Sequence, residues 1–132
     1  MSFDSLCTLD ILPHMENLAP DLKRQRLLVE GFFSGDVDEA RVKDYFSELC
    51  QQMGFKAYGE PIIHSPDGLG KIDNQGYDAF LPLIDSGISV YIWSAKKFFS
   101  IIIYTCKDFD ADRAVEITKL FWDAEKTASQ SF

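Results

Sequence analysis

The chain has 132 residues, of which 46% are hydrophobic and 26% charged, so it can bury one core but is too short for two domains of ordinary size. Its formal net charge of -8 argues against nucleic acid as a partner, because binding DNA or RNA requires clustered Lys and Arg that neutralise phosphates. The three widely spaced cysteines indicate neither a disulfide framework nor a metal site, and the lack of a signal peptide or a membrane-spanning apolar run predicts a cytoplasmic protein without membrane contact.

The first half of the chain predicts an arm, a strand and a helix. Residues 1–25 show no clear period and are expected to form an irregular N-terminal arm. Residues 27–33 are mostly apolar and predict a buried strand. Asp36 and Glu39 have the spacing of a capping box, and apolar residues then recur at three- and four-residue steps, which predicts an amphipathic helix that ends at Gly54.

The second half predicts mainly extended structure. Four strands are predicted, at residues 55–63, 77–84, 88–93 and 98–105. Residues 65–76 are rich in turn formers and predict a long loop, and Pro82 indicates an edge or bulge position. The last two strands form a hairpin that turns at residues 94–97. A final helix is predicted to begin near Asp110, and the residues from Thr127 onward are expected to form a frayed polar tail.

The order of these elements predicts an α+β fold. Two main helices would lie on one face of a largely antiparallel sheet, which gives a two-layer sandwich. Residues 26–132 would form this single domain, and residues 1–25 would pack on it or on a partner subunit.

The predicted hairpin brings a hydroxyl and a thiol together. Antiparallel pairing sets Ser86 opposite Thr105 or Cys106. Because side chains alternate along a strand, Tyr91 and Trp93 lie on the same face as each other. We therefore expect a site at one end of the sheet.

Residues 85–93 and 104–106 resemble the processing and active-site region of the small, prokaryotic-type S-adenosylmethionine decarboxylases. In that family an acidic residue precedes a Ser, a strand with a His and a Trp follows, and a Thr-Cys pair closes the next strand. The order of elements from about residue 27 to residue 124 agrees as well, so the resemblance covers most of the chain.

Individual residues match the family's motif with its spacing kept. Ser86 matches the self-cleaving Ser, Trp93 the strand Trp and Cys106 the catalytic Cys. Pro66 and Gly68 match the family's Pro-x-Gly loop, although the stretch from there to the Ser is longer in this chain.

The resemblance implies a pyruvoyl-dependent decarboxylase of polyamine (spermidine) biosynthesis that cleaves itself between Asp85 and Ser86. The Ser86 hydroxyl would attack the preceding carbonyl, and β-elimination from the resulting ester would leave a pyruvoyl group at the new N-terminus. This group would serve in place of a pyridoxal cofactor, and Cys106 would return a proton after carbon dioxide leaves. The resemblance also implies an amino-acid-type substrate and a homodimer.

Two residues depart from the family's pattern. The family has a His directly after the processing Ser and another five residues after it, where this chain has Gly87 and Tyr91. Tyr91 is therefore the candidate for the processing position, although a phenol is a poor base near neutral pH. His64 is a candidate replacement imidazole if its strand ends near Ser86. Asp85 stands where the family usually has Glu, which is a milder change.

The remaining candidates for substrate binding are Pro66, Gly68, Trp93 and His64. Two alternative functions stay open beside the decarboxylase of S-adenosylmethionine. A pyruvoyl enzyme could act on another amino acid, because the same electron sink serves any α-amino acid. The lost histidines instead favour an unprocessed, non-catalytic homologue that binds a small ligand or a partner subunit. A Ser-His-Asp hydrolase is disfavoured because Ser86 lacks a Gly-x-Ser-x-Gly elbow.

Overall fold

The computed structural model describes residues 15–132, so residues 1–14 of the predicted arm lie outside the described part. Residues 15–24 form turns and bends rather than helix or strand. The elements that follow are β1 (Gln25–Phe32), α1 (Glu39–Met53), β2 (Ile62–His64), β3 (Gly76–Leu83), β4 (Ser86–Trp93), β5 (Phe98–Thr105), α2 (Ala111–Phe121) and β6 (Thr127–Ser131).

The strands form one antiparallel sheet in the order β2-β3-β4-β5-β1-β6. Both helices pack on the same sheet face and close the core. The helices supply Val42, Tyr45, Phe46, Leu49, Ala114 and Ile117 to this core, and the sheet supplies alternate residues such as Val29, Ile88, Val90, Ile101 and Ile103. The predicted α+β two-layer sandwich is therefore confirmed.

The opposite face of the sheet, called the open face below, carries no helix within the described residues. Strand alternation explains its composition, because each strand that buries one set of side chains presents the other set outward. Large apolar side chains with substantial exposure lie there, namely Phe32, Ile62, Phe80, Tyr91 and Tyr104. Such an apolar surface is typical of an interaction site.

The helix ends lie at or near the predicted positions. Helix α1 ends at Gly54, whose φ of 75° is left-handed and whose N–H donates to the Cys50 carbonyl. Asp110 caps α2 by accepting from the Arg113 N–H at 3.1 Å. The predicted start of α1 is wrong by two residues: Asp38 is the cap, and its carboxylate accepts from the Arg41 N–H at 2.8 Å.

Two predicted segments differ from the structure. Of residues 55–63, predicted as one strand, only the end belongs to β2, and Ala57 forms an isolated bridge with Leu83. Gly59 and Pro61 interrupt the segment, because neither residue favours a continuous ladder. The tail predicted to fray is instead β6, which covers the outer edge of β1 between Leu27 and Gly31. This pairing satisfies backbone groups that an edge strand leaves free.

A buried aromatic cluster holds the helices to the sheet. Trp122 is fully buried and stacks on Phe99 with ring centroids 5.9 Å apart. The Tyr45 hydroxyl lies 2.8 Å from the Thr118 hydroxyl inside the same cluster. Burial raises the pKa of Tyr45 far above its ordinary value, because a phenolate would lose its solvation there.

Candidate functional site

A tight turn between β3 and β4 carries the Asp85–Ser86 peptide bond. Leu83 pairs with Ser86, so only Ile84 and Asp85 form the turn. Asp85 has a φ of 60°, in the left-handed region that Asp tolerates better than most residues other than Gly. Both turn residues are exposed, and the bond is therefore presented at the sheet end in a sparsely populated backbone conformation.

Residue 106 contacts both sides of this bond. The Cys106 N–H donates to the Ser86 Oγ at 3.1 Å. The Cys106 thiol donates to the carbonyl oxygen of Asp85, with Sγ and O 2.8 Å apart. The register that produces this arrangement pairs Gly87 with Tyr104, which confirms the predicted meeting of the hydroxyl and the thiol.

The loop after β5 is fixed by contacts with the start of β1. The Gln25 side chain donates to the Phe109 carbonyl at 2.9 Å and accepts from the Phe109 N–H at 3.0 Å. Lys23 forms an ion pair with Asp108 at 2.9 Å. The Thr105 hydroxyl donates to the Lys107 carbonyl at 2.5 Å. These contacts hold the backbone around Cys106 in place against the turn.

Two cavities meet at Ser86, one on each face of the sheet. The cavity on the open face has about 300 Å³ and is lined by Phe80, Asp85, Ser86, Gly87, Ser89, Ile102 and Tyr104. The cavity on the helix side has about 380 Å³ and lies between the end of α1, the β3–β4 turn, the loop after β5 and the start of α2. The sequence does not indicate the helix-side cavity, because its walls come from four separate elements without a shared motif.

The Phe80 ring occupies the space next to Gly87. A Cβ atom at Gly87 would lie 2.7 Å from two carbons of that ring, well inside ordinary contact distance. Any side chain at residue 87, including the His of the family's pattern, would have to displace Phe80. In this chain the Phe80 ring therefore fills the space that a side chain at residue 87 would need.

The other candidate residues lie away from Ser86 within one chain. Tyr91 is five residues along β4, roughly 17 Å away at the usual rise per strand residue. His64 pairs with Asp78, which pairs with Tyr91. His64 therefore lies level with Tyr91, two strands away from β4 and equally far from Ser86 along the strand direction. Trp93 is farther along, opposite Phe98. Within one chain, the imidazole of His64 on β2 therefore does not reach Ser86.

Pro66 and Gly68 belong to the long loop that joins β2 to β3. This loop contains two short 3-10 turns, and Gly68 has a φ of 64° with Asn74 so close that a Cβ would lie 2.8 Å from its backbone. The Ser94 N–H donates to the Gln75 carbonyl at 3.0 Å. The loop thus lies at the sheet end opposite Ser86.

The two cysteines of the described part differ in environment. Cys50 is partly buried on α1, and burial raises the pKa of its thiol. Cys106 is exposed at the turn. Within residues 15–132, no three His, Cys, Asp or Glu side chains cluster closely enough to hold a metal ion. Among the described helices, neither is long and apolar enough to cross a membrane.

A comparison with protein families matches the part of the chain that contains the candidate site. The family model described as S-adenosylmethionine decarboxylase matches residues 36–132, which include the turn, β4, β5 and Cys106. The chain belongs to the S-adenosylmethionine decarboxylase family. The matched range begins after β1, so the arm and the first strand lie outside it.

A solved structure shares the fold of this S-adenosylmethionine decarboxylase family member. The crystal structure of the adenosylmethionine decarboxylase from Aquifex aeolicus VF5 superposes with a TM-score of 0.65 over 84% of this chain and 89% of that chain. The two sequences are 14% identical, so this likeness concerns the fold alone. A search of curated proteins found no match.

Proposed function

We propose that the chain cleaves itself between Asp85 and Ser86 and then acts as a pyruvoyl-dependent S-adenosylmethionine decarboxylase. The observation that supports this most directly is the double contact of Cys106, which binds the Ser86 hydroxyl through its N–H and the Asp85 carbonyl through its thiol. Family membership supplies the reaction class, which the fold by itself would not.

Self-cleavage would begin with attack of the Ser86 Oγ on the carbonyl carbon of Asp85. The carbonyl oxygen gains negative charge in this step, and the Cys106 thiol is placed to donate a hydrogen bond to it. The peptide nitrogen leaves as the amine of residue 86, and an ester remains. Elimination then releases the Asp85 carboxylate and leaves dehydroalanine, which tautomerises and reacts with water to give ammonia and a pyruvoyl group.

The residues around Ser86 fit the pyruvoyl group that the family implies. The group would arise from Ser86 itself, beside the two cavities. When present, it supplies a carbonyl that captures the substrate amine and takes up the electrons released with carbon dioxide. The Cys106 thiol would hold the proton that is returned to the substrate carbon.

The open-face cavity suits a cationic substrate. Phe80 and Tyr104 present aromatic rings to it, and aromatic faces attract cations such as a sulfonium. Cleavage would also leave Asp85 with two carboxylates, one on the side chain and one at the new C-terminus. These features favour S-adenosylmethionine among amino-acid-type substrates.

A homodimer formed through the open face is part of this proposal. Phe32 is 63% exposed and Ile62 is 53% exposed, and sheets commonly bury such surfaces by packing face to face. In such a dimer Tyr91 would reach Ser86 only from the second copy, because the distance within one chain is too long. We further propose a cytoplasmic enzyme of spermidine biosynthesis.

Carbon dioxide release from carboxyl-labelled substrates tests the activity. The purified chain should release labelled carbon dioxide from S-adenosylmethionine, whereas the Ser86→Ala variant, which cannot form the pyruvoyl group, should not. Ornithine and arginine serve as competing substrates, and release from one of them alone would assign a pyruvoyl decarboxylase of another amino acid. No release from any of the three by fully cleaved protein would contradict the proposal.

The second candidate is an unprocessed homologue that binds a small ligand or a partner subunit. Two observations favour it: Phe80 packs where a His side chain at residue 87 would lie, and no His reaches Ser86 within the described part of one chain. A chain that stays uncleaved on long incubation would establish this candidate over the decarboxylase.

A further inference from the structure

The helix-side cavity has apolar walls of a kind that hold ring or branched groups. Phe55 and Phe109 form a T-shaped pair in its wall, with ring centroids 5.7 Å apart. Met53 and Ile84 extend the apolar surface, and Ser86 lies at the end nearest the turn. Its volume of about 380 Å³ is within the range of small-molecule sites.

The rim of this cavity is cationic although the whole chain is acidic. Lys56, Lys107 and Arg113 line it, against two carboxylates. Asp108 is already paired with Lys23, and Asp110 is engaged as the cap of α2. The rim therefore has cationic groups in excess of the carboxylates available to neutralise them.

Arg113 is positioned to bind an anion. One of its terminal nitrogens donates to the Gln52 side-chain oxygen at 3.2 Å, which holds the guanidinium beside a second residue that lines the cavity. A guanidinium binds a carboxylate through two parallel hydrogen bonds, which adds direction as well as affinity. An anion held there would leave its apolar part in contact with Phe55 and Phe109.

We propose that the helix-side cavity is a binding site for a small carboxylate with an apolar, preferably aromatic, body. Arg113 and Lys107 would bind the carboxylate, and the Phe55–Phe109 wall would contact the body. The ligand would lie behind the β3–β4 turn, on the face of the sheet opposite the cavity assigned above to the cationic substrate. The proposal stands apart from self-cleavage, because the cavity exists in the uncleaved chain.

Isothermal titration of the full chain with 3-phenylpropionate tests this proposal. We expect saturable one-site binding that weakens with added salt, and about tenfold weaker binding of the neutral 3-phenylpropanamide, because a charge-assisted hydrogen bond is lost. The cationic 3-phenylpropylamine should not bind. Absence of saturable binding, or equal binding of the carboxylate and the amide, would overturn the proposal.

Matched variants separate the rim from general electrostatics. Lys107→Ala should weaken binding several-fold, whereas Lys43→Ala, which removes the same charge from an exposed position on α1 outside the cavity, should have no effect. Arg113→Lys should bind more weakly than the parent and more tightly than Arg113→Ala. Equal affinities for the Lys107 and Lys43 variants would overturn the assignment.

The same titration on the Ser86→Ala variant keeps this result distinct from the proposed function. Without the Ser86 hydroxyl the chain cannot cleave itself, yet the cationic rim and the aromatic wall remain. Binding by this variant would support the cavity site whether or not the parent chain is a decarboxylase. If the Ser86→Ala variant loses all binding while its melting temperature stays unchanged, the result would contradict the site.

Discussion

Replacing Gly87 by Ala should destabilise the parent chain but stabilise a variant that lacks the Phe80 ring. In the parent chain the new Cβ would lie 2.7 Å from two Phe80 ring carbons, 0.7 Å short of the 3.4 Å at which ordinary contact begins. The ring must therefore swing outward, and it gives up part of its contact with the sheet. Overpacking typically costs about 1–3 kcal/mol of unfolding free energy, and we expect the lower half of this range because the displaced atoms are the far end of a ring that is 40% exposed.

Removing the ring changes the sign of the effect. Phe80 is 40% exposed, so Phe80→Ala should itself cost about 1–2 kcal/mol, less than the loss of a fully buried Phe. In that background Gly87→Ala meets no ring, and Ala is favoured over Gly within a strand by about 0.5–1 kcal/mol. The coupling between the two substitutions should be about 2 kcal/mol, as expected for residues in direct contact.

Chemical denaturation of the four proteins measures this cycle. We expect Gly87→Ala to lower the denaturation midpoint of the parent and to raise that of the Phe80→Ala variant, with unchanged m-values. Additive effects, or an equally large loss in both backgrounds, would refute the view that the Phe80 ring is what excludes a side chain at residue 87.

Three further predictions follow from other contacts. Burial raises the pKa of Tyr45 above the value of about 10 expected in the unfolded chain, so its contribution to the unfolding free energy should be constant below pH 10 and should fall as pH rises further. Tyr45→Phe should remove this alkaline loss of stability. The variant should also cost about 1–2 kcal/mol at neutral pH, since the Thr118 hydroxyl loses its partner. Denaturation across the alkaline range checks both statements, and an undiminished alkaline loss in the variant would contradict the first. Phe32→Glu on the open face should convert the proposed dimer to monomer in light scattering with analytical gel filtration, and a variant as dimeric as the parent would exclude this face. Gln25→Ala frees the Phe109 backbone and should slow cleavage about tenfold on a gel time course, so an unchanged rate would show that this anchor does not position the thiol.

Sequence patterns predicted the elements around the candidate site well because those patterns are local. Alternation in residues 88–93 and 98–105 sets both faces of the hairpin, and the turn between them sets the register. Once that register is known, the meeting of Ser86 with Cys106 follows. Local signals likewise predicted two helix ends, since Gly54 indicated where α1 ends and apolar spacing placed the start of α2 near Asp110.

The missed features depend on residues far apart in sequence. Residues 127–131 are polar and give no strand signal, yet they pair with β1 because that strand would otherwise expose its backbone groups. The helix-side cavity has no sequence signature either, because its lining residues come from separate elements of the chain. The separation of Tyr91 from Ser86 was predictable, because five strand residues span roughly 17 Å. The match of Tyr91 to the family's His position is a match in sequence, and it does not bring the Tyr91 side chain near Ser86 within one chain.

Intact mass spectrometry of freshly purified protein is the most direct test of self-cleavage and pyruvoyl formation at Ser86. We expect two fragments divided between Asp85 and Ser86. The C-terminal fragment should be lighter than a serine-started peptide by the mass of one ammonia, which marks the pyruvoyl group. The Ser86→Ala variant should remain a single chain. A parent chain that stays intact, or a C-terminal fragment that begins with an unmodified Ser86, would contradict the pyruvoyl mechanism.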